Sequence, residues 1–368
     1  MLHVKRTPLT SSYFCGYWLA WCLAVGLPAV VVAEDGRIVR ERVHGVSLEK
    51  NVAGESADRW VSVYLPPGYD RSPDKNYPVL YLLHGIGDTD EIWTERPGPY
   101  ANIQGLMNRG IADARFGAMI VVMPDERTAW GGSFYTNSAV TGNWEDFTAK
   151  ELVAAIDSKY RTLASAAGRG IGGHSMGGHG AIKLGMKYPE VFSVVYGMNP
   201  AVLDWSGDLS IANPAFVSVL TMTTRDEVLK GGLYPIGITC VAQAFSPNPK
   251  RPPFYVDLPF APTGGKLQPA EPAFSRWEDN FPTNMAKRYR TNLQKLRGLR
   301  FDTAWEDEFT HIPPTTRRLA LTLTHLGVEH VFEEYNGDHR NRLWGHSGRL
   351  STTVLPYFWH FLDPKTNS

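Results

Sequence analysis

From about residue 60 onward, short apolar runs alternate with longer amphipathic stretches. Trp60-Val61-Ser62-Val63-Tyr64-Leu65 alternates as a strand does and stops at Pro66-Pro67-Gly68-Tyr69, a turn by composition. Val79 to Leu83 and Met119 to Met123 are unbroken apolar runs, the pattern of central strands covered on both faces. Between Trp144 and Tyr160 the spacing of Phe147, Leu152 and Ile156 predicts an amphipathic helix. Ala181 to Lys187 predicts another, closed by Tyr188-Pro189, because the residue before a proline avoids helical geometry. Further on, Met285 to Leu296 reads as helix and Leu299 to Ala304 as strand. Thr315 to Leu326 reads as a helix with Gly327 as C-cap, and Val328 to Tyr335 as the last strand. Strands alternating with helices predict a mainly parallel α/β sheet.

Two stretches break the rhythm. From about 205 to 282, prolines such as Pro247, Pro249, Pro252 and Pro253 and scattered aromatics replace clear periodicity, which predicts an irregular, lid-like insertion between sheet elements. At the N-terminus, Lys5 and Arg6 precede a nearly charge-free run from Tyr13 to Val32, and Val31-Val32-Ala33 supplies the small residues of a cleavage site. Residues 1–33 are therefore expected to be a signal peptide cut near Ala33, with a membrane anchor as the alternative; residues 34–368 then form one enlarged domain, secreted or periplasmic, without stable membrane insertion after cleavage. Cleavage removes Cys15 and Cys22 and leaves Cys240 alone, expected as a buried small apolar residue with no disulfide partner. With 37 basic and 37 acidic residues, the charge balance gives no electrostatic reason to expect nucleic acid.

The chemistry concentrates at Gly173-His174-Ser175-Met176-Gly177, a Gly-x-Ser-x-Gly pentapeptide between an extended run and a helix. A serine attacks a carbonyl only if it stands clear of its sheet, and a sharp strand-to-helix turn achieves this when the flanking residues have almost no side chain. Such a nucleophile needs a base and a carboxylate that orients the base. Asp307 after the Leu299–Ala304 strand and His339 after the Val328–Tyr335 strand supply both in the order serine, acid, histidine. Glu306 and Asp302 are the competing acids, and His346 the competing base. Backbone amides of Met176 and of Ile86, in the His84-Gly85-Ile86 turn, are the expected oxyanion donors. His84 is expected to shape its turn, and His174 and His179 to pack or cap beside the serine. No metal-ligand spacing occurs among His311, His325 and His330, and the glycine-rich run lacks the Gly-Lys-Ser/Thr of a phosphate cradle, so no metal or cofactor is expected.

These residues resemble the esterase D-like α/β-hydrolases, a group that includes feruloyl and acetylxylan esterases, S-formylglutathione hydrolases, enterochelin esterases and mycolyltransferases. Val63-Tyr64-Leu65-Pro66-Pro67-Gly68-Tyr69, Leu82-Leu83-His84-Gly85, Gly142-Asn143-Trp144-Glu145-Asp146 and the serine segment carry the resemblance in the first half. In the second half Phe301 to Asp307 is similar to the acid-bearing segment, and Asn336-Gly337-Asp338-His339 to the segment carrying the base. Asp338 stands where a glycine is usual, the stretch from His339 to Pro356 is longer than typical, and the insertion is larger than in compact members. The resemblance implies an α/β-hydrolase fold and a serine ester hydrolase working through an acyl-enzyme, on small-molecule or carbohydrate-linked esters such as acyl or feruloyl esters. Acyl transfer to a sugar or lipid hydroxyl, a catalytically silent binding protein and a peptidase are the other readings, and the signal peptide argues against S-formylglutathione hydrolysis.

Overall fold

The two unbroken apolar runs form the middle of the sheet. The computed structural model describes residues 35–94, 102–363 and 365, and the signal-peptide reading of residues 1–33 lies outside them. Eight strands pair: β1 (Arg37–His44), β2 (Asp58–Leu65), β3 (Val79–Leu83), β4 (Ile120–Pro124), β5 (Arg169–His174), β6 (Val194–Met198), β7 (Gly298–Ala304) and β8 (Val331–Tyr335). Their order is β1-β2-β4-β3-β5-β6-β7-β8. β2 runs antiparallel to both neighbours; from β4 to β8 every pairing is parallel.

Parallel strands require crossovers, and crossover helices cover both faces of the sheet. The helices that matter below are α1 (Ile103–Ala112), α2 (Leu152–Lys159), α3 (Met176–Lys187), α4 (Leu233–Phe245), α5 (Ile312–His325) and α6 (Leu355–Leu362). Alternate residues of β3 separate cleanly between them. Val79, Tyr81 and Leu83 join a core that holds Leu152 and Ile156 of α2 and Ile182 of α3. Leu80 and Leu82 join a second core with Leu106 and Met107 of α1 and Phe358 and Leu362 of α6. Burial on both faces is why the run shows no polar alternation.

Several boundaries differ from the expected ones, each for a local reason. The stretch from Trp144 to Lys159 is helical but widens into a π-type turn over Phe147–Glu151 before α2. α3 starts at Met176, five residues before the expected start, because Gly177, Gly178 and Gly180 are helical despite their weak propensity. α5 starts at Ile312, with Pro313 and Pro314 in a first turn that has no need of their missing amide hydrogens. Gly327 follows α5 at φ 65°, in the left-handed region.

The segment 205–282 is more regular than its prolines suggest. It contains the helices Ala215–Thr221, Arg225–Lys230, α4 and Ala273–Asn280, and a hairpin of Phe260–Thr263 with Lys266–Pro269. α4 shows no amphipathic stripe because most of it is buried, from Ile238 through Phe245 without a break, so it lacks a polar face to set a period. Pro235 lies in the first turn of α4, and Pro272 caps the helix that begins at Ala273. The aromatics form a cluster: Trp205 stacks on Phe274 and Trp277 at centroid distances of 5.4 and 5.3 Å, with Phe260 and Phe281 against it. Cys240 is buried on α4, its thiol directed to the Gly132 carbonyl at 3.0 Å. Among the described residues no helix is long and apolar enough to cross a membrane.

Candidate active site

Ser175 occupies the single position between the end of β5 and the start of α3, at φ 59° and ψ −116°. Side-chain-bearing residues rarely adopt such a conformation, and it persists only where the surroundings over-determine it. The surroundings here are backbone. A Cβ on Gly177 would lie 2.2 Å from the Leu83 carbonyl oxygen, and one on Gly173 would lie 2.4 Å from the Gly177 carbonyl. The Ser175 amide donates to the Met198 carbonyl at 2.9 Å, tying the elbow to β6.

The turn after β3 lies against the serine: a Cβ on Gly85 would sit 3.4 Å from the Ser175 Cβ. His84 fixes that turn. Its Nε2 accepts the Glu126 amide at 2.9 Å, so the ring hydrogen is on Nδ1 and is donated to the Gly85 carbonyl at 2.8 Å. The Tyr135 hydroxyl donates to the His84 carbonyl at 2.9 Å. Burial holds the His84 imidazole below its ordinary range, so the ring stays neutral.

Asp307 and His339 lie beyond the ends of β7 and β8, on loops stitched together by Trp305 N–H to the Tyr335 carbonyl and Glu306 N–H to the Gly337 carbonyl, each at 2.9 Å. Parallel pairing from β5 through β8 brings these loops and the elbow to the same, C-terminal end of the strands. His339 Nδ1 is 2.7 Å from Asp307 Oδ2, both side chains being buried. Asp307 Oδ1 accepts the Phe309 amide at 2.9 Å. The His339 backbone is held by three further partners: its amide donates to Glu308 at 3.1 Å, and its carbonyl accepts from His174 Nε2 at 2.8 Å and Asn199 Nδ2 at 3.1 Å. Burial pushes the His339 imidazole well down, with the Arg340 charge adding to it. Burial likewise pushes the Asp307 carboxyl up, against the Phe309 amide.

The competing acids and base have other places. Asp302 is buried inside β7 and accepts from the Tyr196 hydroxyl at 2.7 Å and Arg349 at 2.9 Å. Glu306 and His346 are exposed. Asp338, where a glycine is usual, folds the loop into an Asx turn: its Oδ1 accepts the amides of Arg340 at 2.8 Å and Asn341 at 2.6 Å. His179 packs on Phe245 and points Nδ1 at the carbonyls of Ala201 and Val202. Asn199 and the backbone-holding role of His174 had no signal in the sequence, since their partners lie more than a hundred positions away.

Two cavities meet at Ser175, and Ser175, Ile86, Leu233 and Phe309 border both. One, with about 600 Å³ of open space, is walled by apolar residues including Phe134, Val202, Leu209, Ile238 and Val241. The other is a polar cleft with Asp88, His174, His339, Arg340 and Trp344. Among the described residues no group of three or more His, Cys, Asp or Glu side chains is placed to hold a metal ion.

The strand order and the strand-serine-helix elbow define an α/β-hydrolase fold. The chain belongs to the putative esterase family, whose model matches residues 56–347. It is 38% identical over 130 residues to an esterase of Mycobacterium tuberculosis, covering 35% of this chain and 26% of that protein. It is 35% identical over 204 residues to an endo-1,4-beta-xylanase/feruloyl esterase of Xylanibacter ruminicola, covering 51% of this chain and 26% of that protein. The chain thus spans about a quarter of the length of these relatives. Its fold is similar to a solved ferulic acid esterase (TM-score 0.58, 20% identity, 90% of this chain and 99% of that one). It is also similar to a fluorophosphonate-binding serine hydrolase of Staphylococcus aureus (TM-score 0.57, 16% identity, 88% and 99%).

Proposed function

We propose that this protein hydrolyses carboxylic esters through an acyl-enzyme on Ser175. The observation that carries the reading is the 2.7 Å contact of Asp307 with His339, which borders the same cleft as Ser175, with the serine on a strained elbow. With its shared proton on Nδ1, directed to Asp307, the neutral His339 ring leaves Nε2 free to accept the serine proton as Oγ attacks the ester carbonyl. The tetrahedral intermediate carries an oxyanion, for which amides fixed in advance are the effective donors. Met176 supplies one, since the first amide of α3 has no carbonyl four residues back within its own helix. Ile86, on the turn that His84 holds, supplies the other. His339 then returns the proton to the leaving alcohol, and water enters by the same route to release the acid.

This division assigns the two cavities. The leaving alcohol must reach His339, which borders the polar cleft, so the alcohol part of the ester occupies that cleft and the acyl part the apolar pocket. A polar cleft with Asp88, Arg340 and the Trp344 ring suits a carbohydrate-linked alcohol. With the signal-like leader at residues 1–33, the site works outside the cytoplasm, and a chain that fractionates with the cytoplasm, its leader uncut, contradicts this.

The test is hydrolysis of p-nitrophenyl acetate, longer acyl esters, methyl ferulate and acetylated sugars by residues 34–368, beside Ser175→Ala. Turnover of at least one ester is expected to fall by about 10⁴-fold or more in the variant, with its far-UV circular dichroism unchanged. Equal turnover in the two proteins refutes the acyl-enzyme.

A further inference from the structure

Just past the end of β4 a carboxyl is buried that the acyl-enzyme scheme leaves unused. Glu126 Oε1 contacts the Thr148 hydroxyl, on the π-type turn before α2, and Oε2 accepts the Ser133 hydroxyl at 3.2 Å. Thr148 Oγ1 also lies 2.7 Å from the Trp144 carbonyl, which can only accept. A hydroxyl has one hydrogen to give. Committed to Trp144, it leaves the contact with Oε1 to be made by a hydrogen on Glu126 itself. Ser133 does not compete for that role, because its oxygen accepts the Tyr135 amide at 2.9 Å and its hydrogen goes to Oε2. The hydrogens balance only if Glu126 is a neutral carboxylic acid, donor at Oε1 and acceptor at Oε2. The surrounding charges agree. Arg59, from β2, commits its guanidinium to the carbonyls of Asp125 and Arg127 and to Asp125 Oδ1 at 3.4 Å, and among the described residues no cation lies within ion-pair distance of Glu126. Asp125, Tyr135 and the neutral His84 are the other titratable groups around it, and none of them offers a positive charge. Burial pushes the Glu126 carboxyl up to about 8, with the Thr148 and Ser133 hydroxyls opposing it.

This residue holds the turn after β3 from two sides. Its amide donates to His84 Nε2 at 2.9 Å, on the ring that holds the Gly85 carbonyl. Through Ser133 it also holds the amide of Tyr135, whose hydroxyl donates to the His84 carbonyl at 2.9 Å. Phe134 and Tyr135 both have left-handed backbone, at φ 48° and 49°, and such conformations persist only where neighbours over-determine them. We propose that Glu126, held as the neutral acid, is a positioning residue for the reaction and fixes the turn that carries the Ile86 amide. This rests on the reading of that amide as an oxyanion donor. Ionisation would leave an uncompensated charge in the interior and two oxygens, Glu126 Oε1 and Thr148 Oγ1, facing each other with no hydrogen between them. Relief requires the carboxylate to move toward water, which withdraws the Glu126 amide from His84 and the Ser133 hydroxyl from its place under Tyr135. The turn then loses both of its anchors.

The test pairs a readout of the proton with a readout of the turn. Infrared difference spectra of wild type against Glu126→Gln, taken at about pH 6.5 where an ordinary carboxyl is ionised, are expected to show a carboxylic-acid carbonyl stretch that the variant lacks. The alkaline limb of kcat/KM is expected to have its midpoint at about 8, with activity present below it and lost as pH rises through it. Glu126→Gln, neutral at every pH and with an amide hydrogen for Thr148, is expected to lack that limb. Glu126→Ala is expected to lower kcat by roughly tenfold or more with little change in KM, and Glu126→Gln to recover most of that loss at neutral pH. A spectrum in which no carboxylic-acid band disappears, or an alkaline limb that survives in Glu126→Gln, overturns the proposal. If Glu126→Ala does not fold, the comparison of wild type with Glu126→Gln decides alone. Equal turnover in Ser175→Ala and wild type refutes the acyl-enzyme and the positioning role with it, whereas serine-dependent turnover whose alkaline limb is the same in Glu126→Gln refutes the positioning role only.

Discussion

Around Ser175, the elbow of residues 170–180 and the segment 205–282 are packed in opposite ways. At the elbow the contacts are backbone to backbone: hydrogen atoms stand where any side chain would overlap the Leu83 or Gly177 carbonyl. In the 205–282 segment the contacts are between large side chains, with Trp205 shared among Phe216, Phe260, Phe274, Trp277 and Phe281. Backbone contacts of that kind leave no slack, because a carbonyl held in a strand or a helix has nowhere to move. A cluster of side chains relaxes around a change, since rotamers shift and neighbours fill in. The difference teaches that the elbow that holds Ser175 is intolerant, while the segment that supplies Leu209, Ile238 and Val241 to the apolar pocket is adjustable. A fold of this construction keeps its chemistry while its substrate changes.

The comparison breaks most easily at Gly177. Gly177→Ala places a methyl 2.2 Å from the Leu83 carbonyl oxygen and is expected to lower Tm by several degrees and turnover by at least about 10²-fold. Wild-type values for both would mean that the elbow has room after all. A smaller effect is expected on the other side. Ile238→Ala, on α4 in the pocket wall, should destabilise by about 2–4 kcal/mol and raise kcat/KM for a six-carbon over a two-carbon acyl ester by roughly tenfold. An unchanged chain-length preference would remove α4 from the acyl pocket. The smallest effect concerns pH. His339 must be neutral to accept a proton, and burial lowers its pKa, so protonation sets in only below the ordinary histidine range. The acid limb of kcat/KM is therefore expected to have its midpoint below 6.5, with activity retained above it and lost as pH falls through it. A midpoint above 6.5 would show that the Asp307 partnership outweighs burial.

Two aspartates five positions apart show where reading the chain stops. Asp302 and Asp307 both belong to the segment after Leu299, and the order serine, acid, histidine admits either one or Glu306. Alternation along β7 sends Asp302 inward to Arg349 and Tyr196, whereas Asp307, past the strand's end, meets His339. Arg349 and His339 arrive from different parts of the C-terminal region, and no local pattern announces either pairing. Helix α4 of the 205–282 segment was hidden for a related reason: it is buried without a break from Ile238 to Phe245, and a helix without a polar face has no period to detect.

The sequence by itself determined the elements whose causes are local. The central strands follow from unbroken apolar runs, and the serine's place on a strand-to-helix turn follows from glycines that admit close backbone approach. The tertiary structure alone decided the pairings between distant positions: His174 and Asn199 on the His339 carbonyl, and Asp208 against His311. It also brought an apolar cavity and a polar cleft together at Ser175. The reason is physical: backbone sterics and burial periodicity act over a few residues and leave a mark along the chain. A hydrogen bond between side chains 103 positions apart depends on where the sheet carries each loop, and one chain read in order holds no record of that distance.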